Sequence, residues 1–278
     1  MLLETVNRDR ASGRVLSGAL DAGARVQPVG YRFPENPLRV NVGGIDSETV
    51  AALRQSLENN PAVVLVAAEA DFSHLLLRRR ANEIRVLGQD GFSRTERPFP
   101  VGSEGAAALA EHLLKEAAAF RLVAMDNIGQ TFKVGLVMGD GRTSYGLGER
   151  VTFEVTSERQ GYVTLVDLGT DGTVTVLFPN QYDQRSQIAP GQRLRFPTEA
   201  MGFEIEAQPP VGRGMVRLFV TPQPLEIPAS EGFFAGRTDA AELLGRSLRA
   251  AAGTVEGAPD AVRLDTWGTA TIVYDVTR

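Results

Sequence analysis

From residue 38 the apolar positions alternate, switch to helical spacing, and alternate again. "LRVNVGGIDSETVAALRQSL" begins as a short strand and turns at Gly43-Gly44. It continues as a helix capped at Asp46 or Ser47, with Val50, Leu53 and Leu57 on one face. The runs "AVVLVA" (62–67), "FSHLLLRRR" (72–80) and "EIRVLG" (83–88) read as strands, with Asp90-Gly91 as a turn. Ser103 opens a second helix through about Phe120, because Leu109, Leu113, Ala117 and Phe120 recur every three to four residues. Two helices on one small sheet define an α/β domain over 38–128.

Beyond Asn127 only the two-residue period remains. "FKVGLVM", "RVTFEVTS", "GYVTLVDL", "TVTVLFP", "RLRFP", "FEIEAQ" and "GMVRLFVTP" are separated by Asp-Gly, Gln-Gly and Pro-Gly turns, the spacing of an antiparallel sandwich. A helix near Asp239 to Ala251 interrupts, and "TATIVYDV" (269–276) supplies a closing strand. The expected class is therefore α+β: a small α/β domain followed by an antiparallel β-sandwich over 129–278, Ig-like or jelly-roll-like, with one late helix. The change of grammar near Asn127 predicts two separable units. Residues 1–37 read as a lead-in or tether: Leu2, Leu3, Val6, Val15 and Leu16 could line a short helix, but Gly13, Gly18 and Gly23 weaken it and Pro28, Pro34 and Pro37 impose extended chain.

Charge and composition narrow the chemistry. With 29 basic and 34 acidic residues the net charge is -5, which gives no bulk attraction to nucleic acid or an anionic membrane. No apolar run reaches the roughly 18 residues that span a bilayer, and the N-terminus lacks the apolar core of a signal peptide. A cytoplasmic location is expected, or a periplasmic one if a leader was removed. The chain has no cysteine, which removes disulfides, thiolate metal sites and cysteine nucleophiles.

Each candidate motif meets a plainer explanation. "DLGTDG" (167–172) lacks the third and twelfth calcium ligands, so Asp171-Gly172 reads as a hairpin turn. "GDGRTSYGLGER" (139–150) precedes a strand rather than a helix and cannot cradle phosphate in the usual way. Asp46 and Glu48 would cap the helix after Gly43-Gly44 themselves. His74 and His112 have no neighbouring histidine or serine elbow and read as structural. No cofactor motif is present and no cofactor is expected. "RRRANEIR" concentrates Arg78, Arg79, Arg80 and Arg85, interleaved with Glu83. That run is too narrow for nucleic acid; it reads as a solvated edge whose arginines blunt strand association, or as a protein-docking patch.

One longer stretch has the order of a known module. Gly148-Glu149, Gly161-Tyr162, Asp171-Gly172, the Leu177-Phe178-Pro179-Asn180 corner, Ile188, Pro190-Gly191, Pro197 and Pro210-x-Gly212 succeed one another between residues 148 and 212. Together, and over about 129–278, they resemble the domain of unknown function that lies C-terminal to bacterial caspase-like peptidases (metacaspase and orthocaspase relatives) and sometimes to bacterial Ser/Thr kinases. The polar loop after "LFPN" then reads as a crossover between sheets before it reads as a ligand site. A caspase-like peptidase needs a cysteine nucleophile and a histidine base, and neither is recognisable here.

The resemblance implies a non-catalytic accessory, regulatory or recognition protein whose partner is a caspase-like protease, or a target of one. Such enzymes resemble metacaspases in preferring basic residues at the cut, which makes Arg10 and Arg14 in the lead-in candidate cleavage positions. Two rivals are an envelope binding module and a hydrolase built from Asp167, Asp171 or Glu149, acids that turn chemistry otherwise explains.

Overall fold

The computed structural model describes residues 2–6, 11–14, 19, 21, 29–31, 37–67, 72–89, 91, 93–95, 97–227 and 240–278. In the lead-in, β1 (Leu2–Val6) and β2 (Ala11–Arg14) form a two-stranded antiparallel ribbon with Leu2 opposite Arg14. Over the described residues 2–6 and 11–14 this ribbon stands in place of the short helix that the leucine and valine spacing allowed; Val15 and Leu16 lie outside the described residues, and glycine costs more in a helix than in a bent ribbon. A two-residue strand, β3 (Gly30–Tyr31), follows.

The α/β unit contains β4 (Leu38–Asn41), α1 (Ser47–Leu57), β5 (Val63–Val66), β6 (Leu75–Arg80), β7 (Glu83–Gly88), β8 (Phe99–Pro100) and α2 (Ser103–Val123). The sheet order is β5-β4-β6-β7-β8, with β4 parallel to β5 and β6 and the remaining pairs antiparallel. Both helices lie on one face, where Leu53 and Leu57 of α1 and Leu109 and Leu113 of α2 bury Leu38, Val40, Leu77, Ile84 and Val86. Asp46 is the N-cap of α1: its Oδ1 accepts from the Thr49 amide at 2.9 Å and its Oδ2 from the Thr49 hydroxyl at 3.0 Å. The fully buried Thr49 hydroxyl in turn accepts from Gly102 N at 2.7 Å, fixing the start of α2 to the start of α1.

The remaining strands are β9 (Val134–Met138), β10 (Ser144–Gly146), β11 (Phe153–Ser157), β12 (Gly161–Leu168), β13 (Val174–Phe178), β14 (Gln187–Ile188), β15 (Arg193–Phe196), β16 (Gly212–Thr221), β17 (Thr254–Val255), β18 (Ala258–Arg263) and β19 (Gly268–Thr277). One sheet runs β10-β19-β16-β12-β13 with β14 also on β12, and the other runs β15-β11-β9. Alternate residues of both sheets interdigitate in a core that includes Phe153, Leu165, Leu218, Phe178 and Phe196, the last two rings 4.2 Å apart. The molecule is thus an α+β protein with a β-rich second part. One pairing departs from the antiparallel expectation: β10 lies parallel to β19.

The polar loop between β13 and β14 satisfies itself. Asn180 accepts from the amides of Tyr182 and Asp183 through Oδ1 and donates to Leu177 O. Asp183, almost fully buried, accepts from the backbone and guanidinium of Arg185, which holds its carboxyl below the usual range. These bonds spend the polar groups on shaping the crossover.

A third core joins the two parts. α3 (Ala240–Ala252), the end of α2 and β18 cover the outer face of the large sheet, burying Leu122, Val166, Phe219, Leu244, Leu248 and Trp267 together. β3 pairs with β18, Tyr31 opposite Val262 and Gly30 opposite Arg263, and β18 also pairs with β17. The C-terminal unit therefore draws on chain from both sides of the α/β unit, since Gly30–Tyr31 of the lead-in is a strand of its sheet. α2 runs past Phe120 to Val123 and contributes Leu122 to the sandwich side of a boundary drawn at 128. Among the described residues no helix is long and apolar enough to cross a membrane.

Candidate functional site

Alternation along β6 and β7 sorts the arginine run by face. Leu75, Leu77, Ile84 and Val86 point toward the helices and are buried. Leu76, Arg78 and Arg80 of β6 and Glu83, Arg85 and Leu87 of β7 therefore lie on the opposite face. On that face Leu76 is paired with Leu87, Arg78 with Arg85, and Arg80 with Glu83. The same period puts Arg39 and Asn41 of β4, and Val64 and Val66 of β5, on this side.

The structure divides the four arginines of the sequence patch. Arg79 faces the helices, where its Nη1 lies 3.0 Å from Asp46 Oδ2 and its Nε donates to Ala81 O. It braces the α1 cap. Arg78, Arg80 and Arg85 are exposed and, among the described residues, make no ion pair or side-chain hydrogen bond. Arg78 opposite Arg85 places like charges about 5 Å apart at Cβ, an arrangement that disfavours the hairpin unless an anion sits over it. Arg39, which the sequence run did not include, joins the same face with its Nε donating to Phe72 O at 3.0 Å.

The other candidates do not converge on this face. Arg10 lies outside the described residues, and Arg14 ends β2 in the N-terminal ribbon. His74 is held at the sheet end: its Nδ1 accepts from Arg39 N at 2.9 Å and its ring packs 4.3 Å from Phe120. Burial lowers its pKa. His112, on α2, is pushed down to about 4, chiefly by burial, and its Nε2 stands 3.7 Å from Glu116 Oε1. Burial raises Glu116 in turn. This is a half-buried pair beside Phe99, and neutral imidazole is its stable form.

The three acids considered for hydrolysis make three separate sets of bonds. Glu149 accepts from Gly146 N and pairs with Arg142, whose guanidinium also binds Asp140 and lies over the Tyr145 ring. The Tyr145 hydroxyl, donating at 2.7 Å, leads the contacts that hold Asp140 down to about 2. Asp171 caps its own hairpin turn through the amide and hydroxyl of Thr173. Asp167 departs from the turn explanation. It lies inside β12, accepts from Tyr274 Oη at 2.9 Å, and is pushed up to about 7 by burial. The ring of Tyr274 occupies the space a side chain would need at Gly214, whose added Cβ would fall 2.3 Å from Cζ.

Sequence reading named Asp167 as a turn acid and rival hydrolase carboxylate but missed its pairing with Tyr274, and it missed Arg217 on the outer face of β16. The available signal was an ionisable residue breaking an apolar strand, in "VTLVDL" and "MVRLFV". No curated protein matches the chain. Residues 144–224, from β10 to just past β16, match a family model described as a domain of unknown function, DUF4384.

Proposed function

We propose that this chain is a non-catalytic accessory protein of a bacterial caspase-like peptidase, serving it as a regulatory or recognition module. The observation that carries the reading is the DUF4384 match at 144–224, taken with the resemblance of this module to the domain that follows such peptidases. The chain has no cysteine, so the nucleophile of that chemistry would have to come from another polypeptide or another part of one. The exposed face with Arg78, Arg80 and Arg85 on the α/β unit supports a docking role. Cleavage after Arg14 requires the β1–β2 ribbon to open, because Arg14 is paired with Leu2 and must be released to enter a protease cleft.

Co-expression with the caspase-like peptidase encoded nearest in the genome, followed by affinity purification through either partner, tests this. A stable complex, or a changed peptidase rate, is expected. Recovery of each protein alone, with an unaltered rate, contradicts it.

A further inference from the structure

Among the described residues no helix packs on this second face of the α/β sheet, and the face sets exposed arginines beside half-buried leucines. Its centre is a directly opposed arginine pair, Arg78 and Arg85, and the adjacent row is a directly opposed leucine pair, Leu76 and Leu87. Arg39 extends the charge along β4, while Glu83 offsets Arg80 at the hairpin end. The chain as a whole carries a net charge of -5, so this face opposes the global field.

We propose that the face docks an acidic segment of a partner protein, with carboxylates on Arg78 and Arg85 and aliphatic side chains on Leu76 and Leu87. The inference deepens the accessory reading and rests on it. Guanidinium forks bind carboxylates through paired hydrogen bonds, and one bound carboxylate between Arg78 and Arg85 removes the like-charge penalty of the free hairpin. The leucine row decides the class of anion. A phosphate backbone gains nothing from Leu76 and Leu87, and the described strand positions of this face offer no aromatic ring for base stacking. An amphipathic acidic peptide uses both rows.

The test is fluorescence anisotropy of the whole chain with a fluorescein-labelled peptide of glutamates and leucines. Binding is expected at low salt with a dissociation constant on the order of 10 µM, weakening at least about tenfold in the variant carrying Arg78→Glu and Arg85→Glu. Arg150→Glu, which reverses an arginine paired with Glu204 in the sandwich, should leave binding unchanged. The single variant Arg78→Thr should melt at or above the wild-type temperature, because it removes the opposed charges.

Absence of peptide binding, or equal loss with Arg150→Glu, overturns the proposal. So does tighter binding of oligo-dT or of phosphatidylserine vesicles that is lost in the same double variant. If a peptidase complex forms and ignores the double charge reversal, this docking face is wrong and the accessory reading stands. If the peptide binds as expected and no peptidase complex forms, the face is upheld and the peptidase assignment falls.

Discussion

Arg217, in the middle of β16, donates from Nη1 to the carbonyl of Leu122 at 3.2 Å, at the C-terminal end of α2. A second bond reaches the carbonyl of Val123, and Nη2 lies 3.2 Å from Asp126 Oδ1. A cation rooted in the sandwich thus satisfies the last carbonyls of the long helix and meets the negative end of its dipole. Burial lowers the pKa of this guanidinium, with Asp126 opposing the shift.

The carbonyls, more than the ion pair, should carry the stabilisation. Asp126 is 63% exposed, so its Coulomb term is screened, whereas Arg217 is 3% exposed. Arg217→Ala is expected to cost about 1–3 kcal/mol by removing the buried guanidinium's bonds to the Leu122 and Val123 carbonyls, although Leu122 O keeps the Met125 amide as a donor. Asp126→Asn should cost under ~1 kcal/mol. Urea unfolding of the two variants checks this, and equal losses would shift the weight to the ion pair.

A second prediction concerns pH. The folded pKa of Asp167, about 7, lies above its ordinary value of 3.8. Between those values the native state holds a proton that the unfolded chain has released, so this group's contribution to stability falls as pH rises from about 4 to about 7. Asp167→Asn keeps an acceptor for Tyr274 without a charge. Its stability relative to wild type should rise across that window, as read by melting temperature from pH 4 to 8. Tyr274→Phe removes the donor to the charged form and should be more harmful at pH 8 than at pH 5.

A third prediction follows from the shared core. The fragment 129–278 lacks Leu122 and Met125, which pack against Val166, Phe219 and Trp267, and lacks the β3 pairing to β18. It should bind a hydrophobic dye and unfold less cooperatively than a fragment beginning at residue 29. A sharp transition in 129–278, matching that of the longer fragment, would restore the independent units that the sequence suggested.

Local periodicity carried the strands and helices well, because each is an interval in which one face meets a core. Leu53 and Leu57, or Leu109 and Leu113, announce their helices by spacing alone. Long-range pairings left no such mark. Nothing in "GY" at 30–31 signals a partner at Val262 and Arg263, and a parallel β10–β19 pair looks in sequence like any short strand. The arginine run was legible as a cluster, but its division required the pleat: Arg79 turns inward to Asp46 while Arg78 and Arg80 turn out. Asp167 and Arg217 were visible only as charges inside apolar strands, with partners 107 and 91 residues away.

The most direct measurement of the proposed accessory role titrates the purified chain into the caspase-like peptidase encoded nearest in the genome and follows hydrolysis of a substrate with arginine at the cut. The rate should change by at least about twofold and saturate with a dissociation constant at or below the order of 10 µM, while the chain alone hydrolyses nothing. A flat rate with no complex at tenfold higher concentration would contradict the assignment, as would turnover by the chain alone that is lost on Asp167→Asn.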